Sequence, residues 1–424
     1  MLNVHERGQA SYDQALRLLS RRGDADLQRV EPAVQAILDG VAREGDVAVR
    51  RYVNQFEART LSQLVVPTTE WQQQSREISP RLSDCLREAA ERVRAYHRHQ
   101  RESGFRYASQ GIELGQRVRP IRSVGLYAPG GKARYPSTVL MTAIPAQVAG
   151  VKRIVLATPS PTPEVLAAAS IAGVTEVVDV GGAQAIAALA YGTESVARVD
   201  KIVGPGNIYV ACAKRLVFGT VAIDSIAGPS EVLVVAGDDA DPVAVAADLL
   251  AQAEHDEDAY PLLITFSREK AEAVVGELAT QLEKLPRRTI AEAALTRNGH
   301  GFVCGDRAEA ARVADQLAIE HLCLAVQDPD SLLDGIHSVG AVFLGHHTPE
   351  TAGDYAAGPS HVLPTGGAAR FSSPLGVYDF MVRTSLIRYS KQALREQKDL
   401  LTELARLEGL EAHARAVEVR LSSE

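Results

Sequence analysis

The sequence predicts an α/β protein: two doubly wound, Rossmann-like parallel-sheet domains, with a helical N-terminal region before them and a C-terminal helical arm after them. Three observations predict it. Short apolar runs alternate with Ala-rich helical stretches through the middle of the chain. Gly-rich turns follow several of the runs, as they do at the carboxyl ends of parallel strands. The alternation stops in the last ~40 residues, where charged helical patterns take over. The expected segments are 1–120 (helical, leading into the first domain), 121–237 (first α/β domain), 238–370 (second α/β domain) and 371–424 (arm).

Each element has a local reason. Over 30–57 the residues Val30, Val34, Ile37, Val41, Ala48 and Tyr52 recur at helical spacings, and Gly45-Asp46 marks a turn between two helices. Ser79-Pro80 opens a helix running to about Glu102, with Leu82, Leu86, Ala89, Val93 and Tyr96 as its inner face. Residues 151–157 read as a buried strand, 158–163 as a Pro-rich loop, and an Ala-rich helix reaches Ala172. A strand over 174–180 turns at Gly181-Gly182 into a helix ending at Tyr191. A strand over 199–203 turns at Gly204-Pro205-Gly206, and Asn207 opens a helix to about Phe218. The pattern recurs: strand 231–236, helix 242–253, strand 261–266, helix 268 to about 285. Further strands are 301–304, 321–326 and 339–344, with short helices between. The architecture repeats without a repeat of sequence. At the end come a strand over 385–389, an amphipathic helix over 392–407, a break at Gly409 and a second helix over 410–419. Two terminal helices with no core of their own pack either on the chain's own body or on a second subunit.

Composition removes several function classes. Among 424 residues, 45 Lys and Arg against 53 Asp and Glu give a net charge of -8, which argues against nonspecific nucleic-acid binding. No apolar run approaches the ~20 residues of a membrane span. The first ten residues carry no apolar secretory core, so a cytoplasmic protein is expected. Cys85, Cys212, Cys304 and Cys323 form no CxxC pair, which argues against a thiolate zinc site or a disulfide framework. Cys304 and Cys323 lie in apolar runs and are expected in the core. Eleven histidines include no HExxH, so any metal site must draw on distant parts of the chain.

Several polar residues stand in positions that suit chemistry. Three turns are Gly-rich: Tyr127-Ala128-Pro129-Gly130-Gly131, Gly181-Gly182-Ala183-Gln184 and Gly204-Pro205-Gly206-Asn207. Glycine lets a backbone approach a pyrophosphate, and a helix N-terminus favours anions. The GxGxxG fingerprint is not met, since Tyr209 holds its last position. Structural turns and a nucleotide site both remain open. Gln252 and His255, three apart, share a helix face and read as a metal pair or an ordinary helix end. Glu320-His321 at a loop–strand junction reads as a proton-transfer pair or a surface ion pair. Asp354 and His361 sit in a tight Gly-rich segment, and Glu408 and His413 in the arm.

In order, these segments resemble the histidinol dehydrogenase family over nearly the whole chain. The stretch from Gly181-Gly182-Ala183-Gln184 to Gly192-Thr193-Glu194 looks like the family signature. Val203-Gly204-Pro205-Gly206-Asn207 and Ala227-Gly228-Pro229-Ser230-Glu231-Val232 continue it. Gln252 to His255, Glu320-His321-Leu322, Gly353-Asp354-Tyr355, His361-Val362-Leu363-Pro364-Thr365 and Glu408-Gly409-Leu410-Glu411-Ala412-His413 follow in the family's order. The resemblance implies oxidation of L-histidinol to L-histidine with two NAD and one zinc per subunit. It implies zinc ligation by Gln252, His255, Asp354 and His413, all of which, with Ser230, His321 and Glu408, line the substrate site. It implies that Glu320 and His321 are the catalytic bases, that His361 lies near the reacting carbonyl, and that Tyr127, Gln184 and Asn207 contact NAD. It also implies a homodimer with shared sites, the arm carrying Glu408 and His413 across. On this reading 121–237 is the NAD-binding domain and 238–370 carries the zinc and catalytic residues. Two positions depart from the family pattern: Ile319 stands where proline is usual, and Ser360 where asparagine is common. The alternatives are a paralogous zinc- and NAD-dependent dehydrogenase of another small alcohol, and a catalytically inactive zinc-binding homologue.

Overall fold

Strands buried on both faces read as continuous apolar runs, and Glu231–Ala236 is such a strand, with every residue buried. Its side chains alternate between two cores: Leu233 and Val235 enter one, Val232 and Val234 the other. Each buried valine or leucine contributes about 1.5–3 kcal/mol. The computed structural model describes residues 1–22, 26–130 and 135–422. Gly131 of the first glycine turn and the last two residues of the arm lie outside the described residues.

The chain forms two units, residues 1–100 with 122–380, and residues 101–121 with 381–424. The first unit holds two six-stranded sheets. One runs Val65–Val66, Glu176–Val178, Arg153–Ala157, Ser123–Tyr127, Lys201–Val203, Ala222–Ile223. The other runs Asn3–Glu6, His300–Val303, Tyr260–Thr265, Glu231–Ala236, His321–Ala325, Ala341–Leu344. With one early edge strand set aside, each sheet has the doubly wound order 3-2-1-4-5 in its remaining five strands, the early strand lying beside strand 3. That added strand is antiparallel in the first sheet and parallel in the second. The fold class expected from the sequence is therefore present.

Helices begin where their caps sit. Ser79 accepts the Leu82 N–H and opens Pro80–Arg98. Asp241 accepts the Val243 N–H and opens Pro242–Ala253. Gly45, at φ 54°, separates Asp26–Glu44 from Asp46–Glu57, and the Glu194 carboxylate accepts the Asp46 N–H at 2.8 Å. Val34, Leu38 and Val41 of the first of these helices share a core with Ile186 and Leu189 of the helix Gly182–Tyr191.

The second unit is built differently. Met381–Tyr389 pairs antiparallel with Ile112–Pro120 along nine residues, and Phe105–Ser109 completes a three-stranded sheet. This strand is longer than the expected 385–389 because its whole length is paired. The single helix expected over 392–407 is two, Lys391–Glu396 and Lys398–Leu407. Ser390 caps the first, and Gln397 leaves helical geometry while accepting the Tyr389 hydroxyl at 2.8 Å. Residues 1–120 carry strands as well as helices. Two of these are short edge strands, too short to show a period.

Candidate active site

The strands Glu231–Ala236 and His321–Ala325 are neighbours at the point where the second sheet reverses its order. Polar residues gather at their amino ends. Glu231 is buried and takes both Arg22 Nε (2.6 Å) and Arg22 Nη2 (2.7 Å), plus the Gly366 N–H at 2.8 Å. The Glu231 N–H donates to Glu320 Oε2 at 2.8 Å, and the Glu320 N–H donates back to Glu231 Oε2 at 3.3 Å. Burial, with Glu231 beside it, pushes the Glu320 carboxyl well above the usual carboxylate range.

His321 Nδ1 lies 3.0 Å from the Glu231 carbonyl. A carbonyl only accepts, so Nδ1 carries the proton and Nε2 keeps a lone pair. Nε2 faces Asp354 Oδ1 at 4.0 Å, while Nδ1 lies 3.6 Å from Glu320 and 3.7 Å from Glu350. Burial lowers the His321 pKa to about 4, outweighing the attraction of Asp354, so the ring is neutral near pH 7. His361 is held in the same way: Nδ1–H donates to the Asp354 carbonyl at 3.1 Å, and the Thr138 hydroxyl donates to Nε2 at 3.2 Å. Burial lowers its pKa too.

His255 follows the end of the helix Pro242–Ala253 and donates Nδ1–H to the Ala251 carbonyl at 2.9 Å. Its Nε2 lone pair is thereby set for a ligand, the usual arrangement of a metal-binding histidine. Gln252, only 1% exposed, meets the Glu350 carboxylate. With its amide nitrogen donating to Glu350 (3.3 Å to Oε2, closer to Oε1), its Oε1 becomes the outward donor atom. One ligand atom each from His321, Glu350 and Asp354 lie within 4.8 Å of one another, a spacing a cation can bridge. Sequence reasoning missed Glu350. It is buried, and burial with Asp354 and Glu320 nearby pushes its pKa well up. The available signal was its place four residues before Asp354, on one face of the helix Glu350–Tyr355. Arg22 was missed as well, 209 positions from Glu231. Ser230 stands half-buried just before Glu231, its carbonyl accepting the Tyr260 N–H at 2.9 Å.

The other expected residues lie elsewhere. Tyr127 ends the central strand of the first sheet, and its hydroxyl accepts the Gly182 N–H at 3.0 Å. Gln184, buried in the first turn of Gly182–Tyr191, donates Nε2 to Glu57 Oε1 at 3.3 Å. Asn207 is exposed and caps Ile208–Val217, accepting the Tyr209 and Val210 N–H groups. All three sit at carboxyl ends of strands in the first sheet. Protein atoms already account for the glycines there. A β-carbon at Gly130 or Gly181 would meet Pro159 at 2.7 and 2.8 Å, and one at Gly204, φ 114°, would meet the Tyr127 carbonyl at 2.2 Å. Glu408 and His413 belong to the second unit and are exposed. Cys304 and Cys323 are buried, as expected.

Residues 20–421 match the sequence model of the histidinol dehydrogenase family. The histidinol dehydrogenase of Lactiplantibacillus plantarum is 49% identical over 400 residues, covering 93% of this chain and 94% of that protein. That of Bacillus subtilis is 48% identical over 408 residues, covering 95% and 96%. The crystal structure of histidinol dehydrogenase from Elizabethkingia anophelis superposes with a TM-score of 0.91 at 36% identity, covering 100% of this chain and 98% of that one.

Proposed function

The chain belongs to the histidinol dehydrogenase family, and we propose that it oxidises L-histidinol through histidinal to L-histidine, the last two steps of histidine biosynthesis, with two NAD and one zinc per subunit. It is an NAD-dependent oxidoreductase. The observation that carries the finer reading is the neutral His321, its Nδ1–H fixed on the Glu231 carbonyl and its Nε2 lone pair facing Asp354.

The donor set fits zinc. Imidazole nitrogen from His255 and carboxylate oxygen from Asp354 are donors zinc commonly takes, and the amide oxygen of Gln252 is a weaker, neutral oxygen donor beside them. His413, from the arm of a second copy, would complete them. When bound, zinc would orient the substrate's amine and imidazole, and NAD supplies the hydride acceptor for each oxidation. The chain's own residues move the protons. His321 Nε2 takes the alcohol proton of histidinol. Glu320 then takes a proton from the water that adds to the aldehyde, with His321 assisting. Glu320 serves this step in its carboxylate form, which the burial that raises its pKa makes a stronger base than an exposed carboxylate. Ser230, Glu408 and His361 would contact the substrate. Tyr127, Gln184 and Asn207 would contact NAD.

A homodimer with shared sites fits the second unit. Leu400, Leu404 and Leu407 of the helix Lys398–Leu407 are 57%, 52% and 84% exposed, an apolar row that a second copy would cover. We take the protein to work in the cytoplasm, which its four free cysteines support. No helix among the described residues is long and apolar enough to cross a membrane.

Purified protein given L-histidinol and NAD is expected to form about two NADH per histidinol. A chelator abolishes the activity and zinc restores it. One NADH per histidinol would overturn the four-electron reading, and faster oxidation of a sulfonated diol would overturn the substrate.

A further inference from the structure

A charged network at the carboxyl edge of the first sheet is not used by the chemistry above. Glu57 ends the helix Asp46–Glu57, and Ala58 follows in the left-handed region at φ 51°. Arg59 Nε donates to Glu57 Oε2 at 3.2 Å, and Arg59 Nη1 donates to both Asp179 oxygens, at 2.9 and 2.8 Å. Asp179 Oδ1 also accepts the Ser160 N–H at 2.6 Å. The remaining Glu57 oxygen, Oε1, accepts the Gly181 N–H at 3.2 Å and Gln184 Nε2 at 3.3 Å.

This fixes which way the Gln184 amide points. A carboxylate only accepts, so the amide nitrogen must face Glu57. Oε1 is then the other end, and it lies over Gly182, 2.8 Å from where a β-carbon would stand. Gln184 is buried, so the amide has little room to turn. We propose that Glu57, braced by Arg59 on Asp179, is a positioning residue that holds Gln184 Oε1 ready to accept a hydrogen bond from an amino group of the dinucleotide. The proposal rests on the reading above in which Gln184 contacts NAD. NAD has two such groups, the adenine amine and the nicotinamide carboxamide. Without Glu57 the amide presents either end, and the Gly181 N–H loses its acceptor.

Steady-state kinetics of the zinc-loaded full-length enzyme test this. In Glu57→Ala the Kd for NAD, read directly by calorimetric titration, and the KM for NAD both rise about tenfold, while the KM for histidinol stays within about twofold and kcat within about threefold. Glu57→Gln keeps one acceptor oxygen and falls between wild type and Glu57→Ala. Arg59→Ala moves in the same direction by less. Two analogues identify the amino group: the hypoxanthine dinucleotide lacks the adenine amine, and the 3-acetylpyridine dinucleotide lacks the carboxamide nitrogen. The analogue lacking the group that is read shows a raised KM with wild type and no further rise in Glu57→Ala. The proposal is overturned by an unchanged KM for NAD, by equal rises for both substrates, by Glu57→Gln being no better than Glu57→Ala, or by wild type treating both analogues like NAD. If Glu57→Ala does not fold, Glu57→Gln alone decides, and a KM rise below about twofold overturns the proposal. A wild-type enzyme that forms no NADH overturns the reading of the function instead.

Discussion

The two α/β halves share one strand order, and their candidate site residues gather at opposite ends of it. In the first half the expected NAD contacts sit at the carboxyl ends, where doubly wound sheets ordinarily take ligands. In the second half Ser230, Glu231, Glu320 and His321 sit at or beside the amino ends. The helix caps differ between the halves as well. After its four central strands the second half opens helices with Asp241, Ser267, Asp306 and Asp328, and each side chain accepts a backbone N–H of its own helix. Those carboxylates and that hydroxyl occupy the positive helix ends, and three of them would repel a phosphate. In the first half, Tyr135, Thr162 and Gly181 make no side-chain cap bond among the described residues, and only Asn207 does. Topology therefore allows a ligand at either set of carboxyl ends. The N-cap side chains set the two sets apart, although in the first half the Glu57 carboxylate also accepts the Gly181 N–H at the start of a helix.

Substitution at the amino ends of the second half has the largest expected effect. His321→Asn is expected to lower kcat about 10³-fold for both histidinol and histidinal. Glu320→Gln is expected to cut histidinal oxidation about 10²-fold while largely sparing the alcohol step. Parallel assays of the two substrates check this, and a greater loss on the alcohol would reverse the assigned roles. At the carboxyl ends of the first half, Gly204→Ala should cost about 2–4 kcal/mol in denaturant unfolding, because of the Tyr127 carbonyl and the positive φ. An unchanged midpoint would show that the turn gives way easily.

A smaller effect concerns the buried acids. Glu320 and Glu350 have raised pKa values, so the folded metal-free protein holds protons that the unfolded chain releases. Its stability is fully present below the ordinary carboxylate range and falls as pH rises from there toward the folded values. Glu350→Gln should flatten that fall and raise the melting temperature of the metal-free protein at pH 8. A steeper fall, followed by thermal melts across pH, would contradict the buried-acid account. The smallest effect belongs to the capped ends of the second half. Asp306→Ala should cost about 1 kcal/mol of stability and leave both KM values unchanged. A raised KM for NAD would erase the contrast between the halves.

Much of this was legible in the sequence, for physical reasons. Parallel strands such as Glu231–Ala236 are buried on both faces and announce themselves as apolar runs, and Pro242–Ala253 matches its expected bounds. Asn3–Glu6 and Val65–Val66 are short, half-exposed edges and left no pattern. The antiparallel sheet of the second unit joins residues far apart in the chain, which no local window reveals. Glu320, His321 and Asp354 were named as candidates because their types and setting suit proton transfer or ligation. Glu350 looks like a surface helix residue until its burial is seen. Strand patterns also do not say which end of a sheet meets a ligand, since that depends on caps and on the facing half.

The Arg22–Glu231–Gly366 junction bears on how the protein is made. Arg22 leaves the ribosome early and Gly366 late, yet both must reach Glu231 before that acid is fully satisfied beside Glu320. A nascent chain halted before Gly366 has the strands of both six-stranded sheets but lacks one donor to Glu231, beside the proposed catalytic pair. On the proposed assignment of Glu320 and His321, the site would be among the last parts of the molecule to be completed.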